Sequence, residues 1–285
     1  MRTKSSQKVV AVIQARMSSS RLPGKVLLGL PFGSKTTVLG QVLHRVRASK
    51  LVDEVVVATT DGREDLPVVR AAQNVGATVF RGDRDNVLSR YYGAAVKSEA
   101  DIVVRITSDC PCIDPRIVDK VIDTHLSGSD DYTSNTLVRS YPRGMDTEAF
   151  SFGALERSFK EASLPYEKEH VTPYIYTHKS KFRVTQVESP SSMFFPSWRL
   201  TLDTKEDYAF LCSVYDELYC RNLDFSLQDI VSLIKKKPWL LYVNEKIEQK
   251  KIRYSLATEM TLAKRLLSAH GLSRAAARLD PKVEK

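Results

Sequence analysis

Short apolar runs alternate with amphipathic segments through the first half of this 285-residue chain. The apolar runs are rich in Val and Ile, and the segments between them place apolar side chains at helical spacing. Strands and helices that alternate in this way require right-handed crossovers, and these produce a mainly parallel sheet. We therefore predict an α/β, doubly wound fold, with strands over residues 8–13, 54–59, 78–80 and 101–107 and helices over residues 37–49, 64–74 and 86–98.

The second half of the chain is more mixed. Residues 142–144 carry a turn signal inside strand-like sequence, which predicts a β-hairpin protruding from the main sheet. Proline begins a helix at Pro115, and Pro173 bends another. We predict helices over residues 115–126, 152–162, 166–179, 205–220 and 224–236, and strands over residues 182–187 and 198–202.

A basic tail follows residue 244. It carries ten Lys or Arg against four Asp or Glu over residues 246–285, so it holds +6 of the net charge of +9. We predict a main domain over residues 1–244 and a helical extension over residues 245–285, with helices over residues 256–270 and 273–279. Because the main domain is nearly balanced in charge and has no nucleic-acid-binding motif, we do not expect a nucleic-acid partner.

The tail also has an apolar stripe at helical spacing, and a free basic tail would have no use for one. We expect it to dock on the main domain or on a neighbouring subunit. Contact with a membrane surface is the second interpretation, which the lack of aromatic anchors disfavours. The short apolar run of residues 9–13 is no signal-peptide core, so we expect a cytoplasmic protein.

The loop after the first strand reads "QARMSSSRLPGKVL". Its successive small residues allow backbone N–H groups to surround an anion, and Arg16, Arg21 and Lys25 add positive charge for a polyphosphate. The loop matches neither the Walker A motif nor the dinucleotide fingerprint. A solvated surface loop is the alternative, but the carboxyl end of a strand in such a sheet is where ligands bind.

Two aspartates follow predicted strands in the same manner, Asp109 in "RITSDCPCIDP" and Asp203 in "RLTLDTKEDYAF". Either aspartate, taken alone, could equally well be the N-cap of a helix. Two strand-end carboxylates beside a polyphosphate loop are the ligands that Mg²⁺ prefers when phosphate oxygens complete its coordination. The pattern therefore predicts a Mg²⁺ site for a nucleoside triphosphate, with Asp109 and Asp203 as its metal ligands.

These blocks, together with "RGDRDNVLSRYY", "YPRGMDTEAFS" and "EKEHVTPYIY", resemble the SpsF-like cytidylyltransferase family, which is related to the CMP-Kdo and acylneuraminate cytidylyltransferases. The resemblance covers roughly residues 8–242 in order. It implies a Rossmann-like fold of the GT-A type, a CTP-dependent cytidylyltransferase activity and a homodimer. The activity would build a precursor of a surface polysaccharide from a sugar acid or from a sugar or polyol phosphate.

The resemblance also implies roles for single residues. Ala15, Arg16, Ser19, Arg21 and Lys25 match the block that binds the CTP phosphates and base, and Asp109 and Asp203 match the metal-binding aspartates. Arg16 and Lys25 would join the two aspartates in catalysis. Ser108 stands where relatives often have glycine, and it would lie against the nucleotide.

The remaining candidates are charged loop residues. Arg81 follows the third strand and is predicted to bind near the base, while Asp83, Asp146 and Glu148 are predicted on the substrate side. For each of them a surface salt bridge or a helix cap is the alternative. The string Asp83-Arg84-Asp85 keeps a second function open, that of a GT-A-type glycosyltransferase using a nucleotide-sugar.

Overall fold

The computed structural model describes residues 7–248 and 256–279 of the chain. The chain divides into two units, Met1–Ile247 and Glu248–Lys285. In the described part of the first unit, seven strands form one sheet in the order β3-β2-β1-β4-β6-β5-β7. The strands are β1 (Val9–Gln14), β2 (Glu54–Thr60), β3 (Thr78–Gly82), β4 (Ile102–Thr107), β5 (Tyr132–Ser134), β6 (Glu148–Ser151) and β7 (Val184–Gln186).

The helices of the first unit follow the predicted order. They are α1 (Val38–Arg47), α2 (Leu66–Asn74), α3 (Val87–Lys97), α4 (Pro115–Ser127), α5 (Phe152–Glu161), α6 (Pro165–His170), α7 (Pro173–Thr177), α8 (Lys205–Leu218) and α9 (Leu227–Lys236). Short 3-10 helices occupy Lys25–Leu27, Arg63–Asp65, Ser191–Met193 and Pro238–Val243.

The first four strands are parallel, as the alternating pattern predicts. Side chains alternate between the two faces of a strand. In β1, Ala11 and Ile13 therefore enter one core, while Val10 and Val12 enter the other. Both faces of the sheet are covered by apolar packing, and this explains why the strands are almost continuously apolar. A third cluster, which includes Leu211 and Ile230, packs α8 against α9.

The predicted hairpin does not protrude from the sheet. β5 and β6 pair antiparallel, but both lie inside the main sheet, with β6 between β4 and β5. The physical reason is that β6 has apolar residues on both faces, since Ala149 packs into one core and Phe150 into the other. The turn signal at residues 142–144 lies within the long connection between the two strands.

Two other boundaries differ from the prediction. Residues 198–202 form no strand and have a single bridge, between Arg143 and Arg199. The predicted helix over residues 166–179 is two short helices, α6 and α7, because Val171 adopts a φ of 72° between them.

The second unit contains α10 (Leu256–Ala269) and α11 (Ser273–Ala277), close to the predicted helices. Leu266 and Leu272 are exposed in it. The docking of this tail stays a prediction. Within the described residues, no helix combines the length and the apolar character needed to cross a bilayer.

Candidate active site

The carboxyl ends of β1, β2 and β4 lie side by side. Gln14, the last residue of β1, is in register with Ala58 of β2 and with Thr107 of β4. The loops that follow β1 and β4 therefore leave the sheet at the same edge, and such an edge is where α/β proteins bind ligands.

The loop after β1 is fixed from beneath by backbone hydrogen bonds. The N–H of Ala15 donates to the carbonyl of Ala58 (3.1 Å), and the N–H of Gly24 donates to the carbonyl of Met17 (2.9 Å). Gly24 has a φ of 70°, a conformation that glycine adopts without strain. Arg16, on this loop, is exposed. The loop is thus held in one conformation, and Arg16 is exposed on it.

Asp65 anchors the same loop, and the sequence analysis missed it. Its buried carboxylate accepts the N–H of Met17 (2.6 Å) and the hydroxyl of Thr60. The only signal was an acidic residue at the start of a predicted helix, and that signal is shared by ordinary helix termini.

Lys25 joins the two predicted metal-binding aspartates. Its Nζ lies 2.8 Å from Oδ2 of Asp109 and 2.9 Å from Oδ1 of Asp203. It also donates to the carbonyl of Leu202 (2.6 Å). Arg21 pairs with the other oxygen of Asp203 at 2.8 Å. The structure therefore brings together four residues that the sequence analysis placed in one site.

The Lys25 side chain is only 12% exposed, so its charge interacts strongly with its partners. Burial acts against the charged form, but the carboxylates of Asp109 and Asp203 outweigh it and raise the pKa of Lys25. Burial acts likewise on Asp109, and the neighbouring ammonium of Lys25 still holds the pKa of that carboxyl below its ordinary value. Lys25 and Asp109 are therefore both charged at neutral pH.

A backbone bond and a buried acid hold the two aspartates in place. The N–H of Leu202 donates to the carbonyl of Asp109 (2.8 Å), which joins the two segments directly. Asp207 is fully buried, and it accepts the N–H of Asp203 (3.0 Å) and an N–H of Arg199 (3.0 Å). Asp207 is a second residue that was missed, although the pattern Thr204-x-x-Asp207 is that of a capping box.

The carboxylates fit a divalent cation. Oxygens of Asp109 and Asp203 converge on one point, because the same ammonium contacts both. Within residues 7–248 and 256–279, no group of three or more His, Cys, Asp or Glu side chains is arranged to hold a metal. Two convergent carboxylates match Mg²⁺, which takes one or two protein carboxylates with phosphate and water oxygens.

Ala15, Ser19 and Ser108 lie around this cluster without entering it. Ala15 is buried. The hydroxyl of Ser19 accepts the N–H of Leu22 at 3.4 Å. The N–H of Ser108 donates to the carbonyl of Gln14 (3.3 Å), and its side chain is buried beside Asp109. Their assignments to the nucleotide stay predictions.

Arg81 and Asp83 stabilise local turns. Arg81 donates to the carbonyls of Thr60 (3.1 Å) and Asp61 (2.7 Å), so it orders the loop after β2. Asp83 accepts the N–H groups of Asn86 and Asp85 at the start of α3. These hydrogen bonds lower the pKa of Asp83. The structure pairs neither residue with the aspartate cluster. The first aspartate of the Asp83-Arg84-Asp85 string closes the turn before α3, whose N-cap is Asn86.

The structure does not place Glu148 on the substrate side, where the sequence predicted it. It lies on β6 and is buried, and it pairs with Arg105 of β4. It also accepts the hydroxyls of Tyr132 (2.8 Å) and Thr172 (2.6 Å). Both of its oxygens are engaged inside the sheet, so its role is structural and it does not face a substrate. A charged residue within an unrecognised central strand misled the sequence analysis.

Asp146 remains at the edge of the site. It forms a bidentate pair with Arg139, at 2.8 and 3.0 Å. Its charge also acts on the buried thiol of Cys110, the residue after Asp109. Asp146 lies in the same connection as Arg143, and its assignment to the substrate stays a prediction.

Comparison with known proteins identifies the family to which this chain is similar. Residues 10–255 match the model of a family described as cytidylyltransferase. The spore coat polysaccharide biosynthesis protein SpsF of Bacillus subtilis is 34% identical, over 81% of this chain and 95% of that protein.

A solved cytidylyltransferase from Leptospira borgpetersenii is 37% identical with a TM-score of 0.77, covering 86% of this chain and all of that one. A CMP:2-keto-3-deoxy-manno-octonic acid synthetase solved with CTP shares the fold at 21% identity and a TM-score of 0.56, over 74% of this chain and 99% of that one.

Proposed function

The chain belongs to the cytidylyltransferase family, and from this premise we propose that it transfers CMP from CTP to a small sugar-type acceptor, using Mg²⁺ and releasing pyrophosphate. The observation that carries the proposal is the convergence of Asp109 and Asp203 on one cation, next to a basic loop at the carboxyl edge of the sheet. That arrangement suits a triphosphate and its metal ion.

The chemistry is governed by charge. An oxygen of the acceptor attacks the α-phosphorus of CTP, the bond to the β-phosphate oxygen breaks, and pyrophosphate leaves. Negative charge repels the nucleophile and accumulates on the leaving group, so positioning and neutralisation supply most of the catalysis. Arg16, Arg21 and Lys25 are the cations of the loop that neutralise the leaving pyrophosphate.

Lys25 has two sets of partners in this proposal. In the structure it neutralises Asp109 and Asp203. On binding the nucleotide, its ammonium would exchange these carboxylates for phosphate oxygens, and Asp109 and Asp203 would then be the residues that hold Mg²⁺. The metal ion would supply a Lewis acid that reduces the charge on the phosphate.

The acceptor is assigned as a class. Relatives of this chain are named for spore coat polysaccharide biosynthesis and for 3-deoxy-manno-octulosonate cytidylyltransferase activity. We propose that this protein activates a sugar acid, or a sugar or polyol phosphate, for a surface polysaccharide. We also propose that it acts as a homodimer, which the mass measured by light scattering tests directly.

A pyrophosphate-release assay with each of the four nucleoside triphosphates tests the reaction, using a panel of sugar acids and sugar phosphates as acceptors. We expect release with CTP and Mg²⁺, loss of release with EDTA, and a CMP-linked product by mass spectrometry. Transfer of a sugar from a nucleotide-sugar without pyrophosphate would instead establish the glycosyltransferase alternative.

A further inference from the structure

Arg143 lies next to the segment that carries Asp203. Its N–H donates to the carbonyl of Trp198 (3.0 Å), and its own carbonyl accepts the N–H of Leu200 (2.8 Å). Residues 198–202 continue directly into Asp203. Gly144 has a φ of 100°, and a Cβ there would lie 2.4 Å from the carbonyl oxygen of Leu200. The backbone of Arg143 is thus fixed against this segment at close range.

The neighbouring arginines are already paired. Arg139 forms its bidentate pair with Asp146. Arg199 pairs with the buried Asp207 at 3.0 Å and with Asp203 at 3.3 Å. Each of these guanidinium groups is neutralised by a carboxylate of the protein.

Arg143 is different. Its guanidinium forms no hydrogen bond or ion pair with any residue between positions 7 and 248 or 256 and 279. It is partly buried, and burial together with the charges of Arg139 and Arg199 lowers its pKa, although the charges of Asp146 and Asp203 act in the opposite direction. A partly buried guanidinium that has no direct hydrogen-bond partner is unfavourable unless an anion completes it.

We propose that the guanidinium of Arg143 binds the anionic group of the acceptor, a carboxylate or a phosphate, and thereby places the acceptor beside Asp203. The inference rests on the proposed function for the identity of the ligand as an acceptor. A planar guanidinium offers paired N–H donors that match either anion in a bidentate manner. Because Arg139 is already paired with Asp146, the guanidinium of Arg143 is the one that stays available to the anion.

The test is a binding titration of the full chain at constant ionic strength, without nucleotide. The probes are acetate, D-gluconate, inorganic phosphate and D-glucose 6-phosphate, with D-glucose as the neutral counterpart. Trp198 reports binding by fluorescence in a Trp239→Phe background, because its carbonyl contacts Arg143 and these are the two tryptophans of the chain. The carboxylate and phosphate probes separate the two acceptor classes.

We expect at least one anion to bind about tenfold or more tightly than D-glucose, and Arg143→Gln to lose about tenfold or more of that affinity. Arg143→Lys, which keeps the charge but not the paired donors, should fall between them. Arg70→Gln, at an exposed arginine of α2, is the matched control and should bind as the wild type does. Failure of every anion to bind the wild type, or equal binding by Arg143→Gln, would overturn the inference.

The titration needs no turnover, so it fails independently of the proposed function. Arg143-dependent anion binding without pyrophosphate release from any nucleotide would keep the anion site and remove the cytidylyltransferase reaction. Once an acceptor is found, Arg143→Gln should raise its KM while leaving the KM for CTP unchanged. Turnover with an unchanged acceptor KM in Arg143→Gln would keep the reaction and remove the inference.

Discussion

Lys25 and Arg143 are two cationic residues that contact the segment leading to Asp203, and their surroundings are opposite. Lys25 is enclosed by two carboxylates and a carbonyl. Arg143 has no direct hydrogen-bond or ion-pair partner among the described residues, and both arginines and aspartates act on its charge from nearby. The first arrangement needs no ligand, because each of its buried charges already has a partner. The second leaves a guanidinium that, in our proposal, an anion completes.

We expect the largest effect on activity from changes to Asp109 and Asp203, the two carboxylates that pair with Lys25. Asp109→Asn and Asp203→Asn each remove a carboxylate that neutralises Lys25 and, in the proposed reaction, holds the metal ion. We expect pyrophosphate release to fall by on the order of a hundred- to a thousandfold, with circular dichroism unchanged. Asp216→Asn, at an exposed position of α8, is the control. Near-normal turnover in either site variant would reduce that aspartate to a helix cap.

Arg199→Gln tests how much the ion pair between Arg199 and the buried Asp207 contributes to the stability of the fold. The change leaves the buried carboxylate of Asp207 without its cation, although Asn244 and two backbone N–H groups still donate to it. We expect the free energy of unfolding in urea to fall by about 2–3 kcal/mol. Lys160→Gln breaks an exposed pair with Glu156 and should change it by less than about 0.5 kcal/mol. Equal effects in the two variants would contradict a structural role for Arg199.

Lys25→Met removes the cation from the balanced cluster. We expect kcat/KM for CTP to fall about tenfold or more, because the leaving group loses a neutralising charge. Lys25 depresses the pKa of Asp109, so this pair stabilises the fold above the pKa of the unfolded carboxyl and loses that contribution as the pH falls through the lower folded value.

The metal-free wild type should therefore exceed Lys25→Met in Tm at neutral pH, and the gap should narrow below about pH 4. A gap that stays constant from neutral to acidic pH would show that the lysine acts through packing of its aliphatic chain alone.

The smallest effect should have the opposite sign. Arg143→Gln removes an unpartnered, partly buried charge, so we expect the free energy of unfolding to stay constant or rise by up to about 1 kcal/mol. Arg139→Gln breaks the bidentate pair with Asp146 and should lower it. A clear loss of stability in Arg143→Gln would mean that the fold, and not a ligand, uses this guanidinium.

The sequence was sufficient where local patterns decide the structure. The positions and parallel direction of the first four strands follow from apolar runs, and the meeting of Lys25 with Asp109 follows from the parallel sheet. Asp203 was placed with them as the end of a predicted strand, but it reaches the cluster from a segment outside the sheet. Sequence reasoning failed for Glu148, because a central strand of four residues gives no clear period and its partner Arg105 lies 43 residues away.

Arg143 escaped notice for a related reason. What distinguishes it from the other arginines is the absence of a partner, and pairing over long sequence separations is fixed only by the tertiary structure. Asp65 and Asp207 were likewise hidden, since each looks like an ordinary residue of a first helical turn.

The hydrogen bond from Leu202 to the carbonyl of Asp109 joins the two segments whose aspartates contact Lys25, and this has a consequence for folding. Lys25 and Asp203 are 178 residues apart in sequence, and Lys25 and Asp109 are 84 apart, so the cluster is complete only after the chain has closed several long loops. Such contacts of high sequence separation form slowly. In the proposed reaction, recovery of pyrophosphate release during refolding therefore reports on nearly the whole first unit. A partly folded chain that has formed only β1 to β4 lacks the Asp203 half of the site, so we expect it to transfer no CMP.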